Sequence, residues 1–173
     1  MEKYCVYHGT NEKAANNILK TKYFYSSNKK DEWLGKGIYF YELFEKAEWW
    51  AKQNNKKDIP VIIECNFKLN KKDVVNFDIV EEKLKFLKFV EKIQEQKKDI
   101  VITEDSNNKK VRYQLLELYR KSRKQLMSIN TFESTINLKY PKLGYLEFKS
   151  NEKQICLHND NCIDYKKLKT YNI

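Results

Sequence analysis

What most constrains this chain is the order in which its apolar spacing changes. Residues 4–7 (YCVY) are a short β-prone run ending at His8-Gly9-Thr10. Asn11 then opens an amphipathic helix over about 11–21, with Ala14, Ala15, Ile18 and Leu19 on one stripe. Residues 23–34 are polar and aromatic without a period and read as a loop. A second strand is expected at 37–40 (GIYF), and a helix with an aromatic face at 43–53. The clearest strand, 61–67 (VIIECNF), follows Pro60, and 74–77 is a candidate short one. Long helices are predicted at 79–97 and 111–127, with 100–103 of undecided type and an exposed loop at 105–110. Strands return at 144–148 and 154–157, and 165–171 adds a last strand or turn. Strand and helix patterns thus mix without regular alternation, which points to α+β rather than a doubly wound sheet. No repeat or linker divides the 173 residues, a length suited to a single domain.

The charge balance is 34 Lys+Arg against 24 Asp+Glu, or +10. An excess of that size attracts polyanions such as nucleic acid. Abundant lysine and asparagine with little arginine also fits compositional drift in an AT-rich genome, which requires no partner. Cys5, Cys65, Cys156 and Cys162 form no CxxC pair, and His8 and His158 are the only histidines, so no metal site is expected. Cys5, Cys65 and Cys156 lie in apolar runs and read as buried thiols. Charge at Glu2 and Lys3 excludes a signal peptide, and no run approaches a membrane span, so a cytoplasmic location is expected.

Three of the four glycines fall at 9, 35 and 37. Glycine lets another group approach the backbone closely. Each motif alone, HGT or GKGIYF, reads as an ordinary tight turn. Their order is more informative: YxHGT, a helix, a loop, WLGKGIYF, then a helix carrying AEWW. Over residues 4–52 this resembles the poly- and mono-ADP-ribosyltransferase superfamily, in the branch named for its His-Tyr-Glu triad. The likeness resumes faintly at 154–157 and 160–168. It implies split mixed and antiparallel sheets with flanking helices, and leaves about 79–140 as a helical insertion.

The resemblance also implies roles. His8 would hydrogen-bond the adenosine ribose 2′-hydroxyl of NAD+. Gly9 would offer its main chain to the nicotinamide carboxamide, with Thr10 and Gly37 beside it. Tyr39 would form one wall of an aromatic sandwich, and Trp50, eleven residues on, the other; stacking on a pyridinium contributes about 1 kcal/mol. Of the two neighbouring tryptophans, Trp49 is then expected in the core. Ala47 stands where the family often has serine, removing one carboxamide hydrogen bond of roughly 0.5–1.5 kcal/mol. The family's catalytic glutamate aligns with Gln154, which carries no charge. Glu152, two residues earlier on the same strand face, is the nearest substitute.

The implied activity is cleavage of the nicotinamide–ribose bond and transfer of one ADP-ribose to a macromolecule, protein or nucleic acid. The missing glutamate argues against polymer formation. The alternative is an inactive module on the same fold that binds a nucleotide or nucleic acid. By analogy alone, such a transferase fits a bacterial toxin or phage-defence effector, with an inhibitor or antitoxin protein as partner. The three arginines, Arg112, Arg120 and Arg123, fall on one helix beside Lys121 and Lys124. They are candidates for binding a nucleic-acid acceptor; an ordinary solvated helix face is the competing reading.

Overall fold

The computed structural model describes residues 1–27, 29, 32–54, 58–96, 108–140 and 144–173, with the backbone alone for 108–110, 133–140 and 144–150. It is an α+β arrangement of one seven-stranded mixed sheet and, among the described residues, four α-helices. The strands are β1 (Glu2–Asn11), β2 (Ile38–Tyr41), β3 (Pro60–Leu69), β4 (Val74–Asn76), β5 (Met127–Tyr140), β6 (Gly144–Leu157) and β7 (Lys169–Asn172). The helices are α1 (Glu12–Thr21), α2 (Phe44–Asn54), α3 (Val80–Gln96) and α4 (Asn108–Ser122).

Strand order is β4-β5-β6-β2-β1-β3-β7, with β4 parallel to β5 and every other pair antiparallel. Two separate sheets were expected from the resemblance; a single sheet is found. Its halves meet at a narrow seam. β1 pairs with β3 from Glu2↔Leu69 to Asn11↔Pro60, but with β2 only at Tyr7↔Tyr41. Beyond that pair β1 and β2 diverge.

Alternation along the strands divides the core between the two faces. Ile38 and Phe40 of β2 join Val6, Phe24, Ile63 and Phe67 under α1, whose Ala15 and Ile18 are buried there. Tyr41 packs on the other face with Ile62 and Ala47 of α2, and Tyr39 with a cluster built on Leu116 and Tyr119 of α4. Helix α1 starts where its sequence indicates. The Asn11 side chain accepts from the Ala14 amide at 2.8 Å, and Lys22 closes the helix in a left-handed conformation.

The expected helical insertion is half right. α3 and α4 are helical, but 127–140 is β5, paired with β6 along its whole length. The two short strands expected at 144–148 and 154–157 are one continuous strand. Residues 100–103 and most of the 105–110 loop lie outside the described residues, while 108–110 form the first turn of α4. Cys65 and Cys156 are buried thiols, but Cys5 is exposed because Val6, its neighbour on β1, takes the inward face.

Candidate functional site

The seam between β1 and β2 opens into a cleft of about 140 Å³. His8, Gly9, Gly37, Tyr39, Trp50 and Gln154 line it, together with Tyr25, Ser27, Lys29, Glu32 and Tyr41. Side-chain alternation puts His8 beside Phe24 and Phe40, edge-on to both at 5.4 and 5.7 Å. Tyr39 points to the opposite face, and the gap between the diverging strands joins the two.

His8 Nδ1 lies 2.8 Å from the Tyr39 carbonyl oxygen. A carbonyl only accepts, so Nδ1 carries the proton and donates. The imidazole thus provides a donor where the backbone pairing of β1 with β2 has ended. Burial lowers the His8 pKa against the opposing pull of that carbonyl. The ring is therefore neutral near pH 7 and keeps a lone pair on Nε2 that can accept from a hydroxyl.

The Tyr39 hydroxyl donates to the Gly35 carbonyl at 2.7 Å and accepts from the Leu34 amide at 3.2 Å. Burial pushes its pKa far up, so it stays a neutral phenol that fixes the loop before β2 while its ring forms a wall. Tyr41, two residues on and on the same face, lies with its ring centroid 6.4 Å from that of Trp50. Burial pushes its phenol up to about 12.

Trp49 and Trp50 are both on the surface, at 53% and 40% exposure. Trp50 reaches the cleft; Trp49 is not core as expected but lies under Lys46, at 5.9 Å. The α2 residues that face the sheet are Ala47 and Ala51, because only small side chains let the helix lie this close to β1. Ala47 and Thr10 therefore do not line the cleft.

The glycines have reasons beyond ligand approach. A Cβ on Gly9 would collide with the Ala47 carbonyl oxygen and stand 3.1 Å from the Ala51 nitrogen, so helix packing already requires glycine there. Gly35 has φ +87°, a conformation side chains rarely adopt, and a Glu117 carboxylate oxygen occupies the space of its missing Cβ at 2.6 Å. Gly37 is closed off by Cys156 and Leu157 of β6.

Gln154 and Glu152 share the predicted face of β6 but differ in setting. The Gln154 side-chain oxygen accepts the indole N–H of Trp33, and its amide lies 3.5 Å from the Tyr41 hydroxyl. Glu152 is 5% exposed, pairs with Lys46 of α2, and does not line the cleft.

The three arginines do not converge on a ligand face. The Arg120 guanidinium grips Glu117 with two bonds of 2.8 and 2.5 Å, and Glu117 also accepts the Lys36 amide at 2.9 Å. Arg123 pairs with Glu82 of α3, which also takes the Tyr119 hydroxyl at 2.6 Å. Arg112 stacks on Trp33 at 5.2 Å, behind the Gln154 wall of the cleft. Lys124 follows α4 in a left-handed conformation.

Among the described residues two larger hollows are found, of about 570 and 290 Å³. In the first, Glu82 pairs with Arg123 and Lys85, and Lys71 and Lys72 line the same hollow. The second is lined by Phe77, Phe86, Leu87 and Leu116 together with Lys83, Arg112 and Asn130. What sets the β1–β2 cleft apart from both is its aromatic walls, Tyr25, Tyr39, Tyr41 and Trp50, around the His8 imidazole. Among the described residues no three His, Cys, Asp or Glu side chains stand together to hold a metal, and no helix is long and apolar enough to cross a membrane.

Sequence reasoning missed Tyr41 and Glu32. Tyr41 was legible as the residue two beyond Tyr39, since alternate strand residues share a face. Glu32 sits in an aperiodic loop, where no spacing marks it. No protein-family model and no curated protein matches this chain.

Proposed function

We propose that the chain binds NAD+ as substrate and transfers a single ADP-ribose to a protein or nucleic-acid acceptor. The observation that carries this is the seam itself: a neutral imidazole held to the Tyr39 carbonyl, beside a cleft walled by Tyr39, Tyr41 and Trp50. A cleft of about 140 Å³ is small against the roughly 300–1,000 Å³ that buries a whole drug-sized ligand. It suits one flat ring and its carboxamide, with the remainder of the dinucleotide along the open rim. His8 Nε2 accepts a ribose hydroxyl there, and the rings of Tyr39 and Trp50 flank the pyridinium. Lys29, the one cation among the described lining residues, suits the pyrophosphate. The glutamine at 154 favours single transfer over polymer growth.

A second reading keeps the fold and the ligand but not the chemistry. Its support is that Gln154 is uncharged and bound to Trp33, while Glu152 is already paired with Lys46. Labelled NAD+ incubated with the protein and a cell lysate separates the two. Transfer predicts label in a fraction removed by protease or by nuclease, and free nicotinamide in step with it. Tight NAD+ binding without nicotinamide release supports the inactive module.

A further inference from the structure

Breaking the nicotinamide–ribose bond leaves positive charge on the ribose, and a nearby carboxylate is the group that stabilises it. Among the described residues β6 brings only Gln154, uncharged, to the cleft. Among the described lining residues Glu32 is the only carboxylate. Its loop is tied to the head of β2. Ser27 and Gly37 exchange backbone hydrogen bonds of 2.7 and 3.2 Å. The Ser27 hydroxyl donates to Glu32 Oε1 at 2.5 Å, and the Gly35 amide closes the turn onto the Glu32 carbonyl at 3.2 Å. Oε2 takes no hydrogen bond among the described residues. The charge also reaches the cleft walls, since it contributes to the raised pKa of both Tyr39 and Tyr41.

We propose that Glu32 is the catalytic carboxylate of this cleft, supplied by the loop before β2 in place of a residue on β6. The inference rests on the NAD+ reading above. As the C1′–N bond breaks, its electron pair passes to the pyridinium nitrogen and neutral nicotinamide leaves. The carboxylate of Glu32 faces the cationic ribose. A lone pair of the acceptor's hydroxyl or amine then bonds to C1′, and the proton it sheds passes to Glu32 Oε2 and on to water. NAD+ and acceptor thus give ADP-ribosylated acceptor, nicotinamide and one proton.

Glu32→Gln keeps the shape and the oxygen that Ser27 grips, and removes the charge. With the full chain and saturating NAD+, nicotinamide release should fall by about 100-fold or more. NAD+ affinity, read by calorimetry, should stay within about threefold, which also shows that the variant is folded. Glu48→Gln, an exposed α2 residue paired with Lys52, should change neither. Release by Glu32→Gln at the wild-type rate overturns the proposal, as does a loss confined to Glu152→Gln. Failure of the underlying reading looks different: the wild-type protein itself then releases no nicotinamide, and both proposals fall.

Discussion

The β1–β2 seam and helix α4 both drew attention as sequence, one for its glycines and aromatics, the other for its arginines. In three dimensions they differ in what their polar groups already hold. On α4 and just past its end, the Arg120 and Arg123 guanidiniums close on Glu117 and Glu82, and Arg112 lies over the Trp33 ring. These contacts fasten α4 to α3 and to the loop before β2. At the seam, His8 and Glu32 each use one atom to stay in place, and their Nε2 and Oε2 take no hydrogen bond among the described residues. Residue type and spacing identify groups capable of binding; their existing partners determine which have capacity left.

The sharpest way to break this contrast is to remove a group on each side. His8→Ala should weaken NAD+ binding roughly tenfold or more by deleting the ribose acceptor. Transfer should fall with it, which a labelling assay at fixed NAD+ reads. Arg120→Ala with Arg123→Ala should instead cost about 2–4 kcal/mol of stability, since two largely buried carboxylates each lose a guanidinium partner, with little change in nicotinamide release per folded molecule. Urea unfolding checks the first part. If those arginines hold an acceptor, the double variant would keep its stability and lose salt-dependent binding to a polyanion.

Gly9→Ala tests whether that glycine serves the fold as well as a ligand. Its Cβ would meet the α2 backbone, which cannot yield as a flexible side chain would. The expected loss is about 3 kcal/mol, or roughly 6–12 °C in Tm by calorimetry. An unchanged Tm would mean that only the ligand requires glycine.

A last effect sharpens the difference by pH. His158 sits behind the loop, with Nδ1 donating to the Lys36 carbonyl and Nε2 accepting from Ser128, both at 2.8 Å. Burial lowers its pKa from 6.5 to about 4. A histidine held neutral in the fold takes up a proton on unfolding, so its contribution is complete above pH 6.5 and is lost as pH falls toward 4. The loss approaches 1.4 kcal/mol per pH unit, about 3 kcal/mol in all. In Ser128→Ala, urea unfolding between pH 7 and 4 should show a shallower decline.

The sequence was most legible where one property decided the structure. The apolar run after Pro60 gave β3, and Asn11 marked the start of α1 by a local cap. It was least legible in β5 and β6. Their polar and β-branched mixture shows no clean alternation, and a 14-residue pairing is not visible in either strand alone. That hairpin also determines the setting of Glu152, which it places under α2 against Lys46. Tyr39, Trp50 and Gln154 reach one cleft as their motifs implied, but the hydrogen bonds of Gln154 depend on Trp33, 121 residues away in the chain. Ala47 is fully buried, and its carbonyl oxygen lies where a Cβ on Gly9 would stand, so this contact is between helix backbone and strand.

The central claim is that the seam between β1 and β2 receives the nicotinamide end of NAD+. Its most direct test is a titration of indole emission with NAD+ and with free nicotinamide, on the wild-type protein and on Trp50→Phe. Saturable quenching by both ligands, lost in Trp50→Phe and weakened in His8→Ala, is the expected result. Emission unmoved by NAD+ at any concentration, or quenching that persists without Trp50 and His8, would contradict the account.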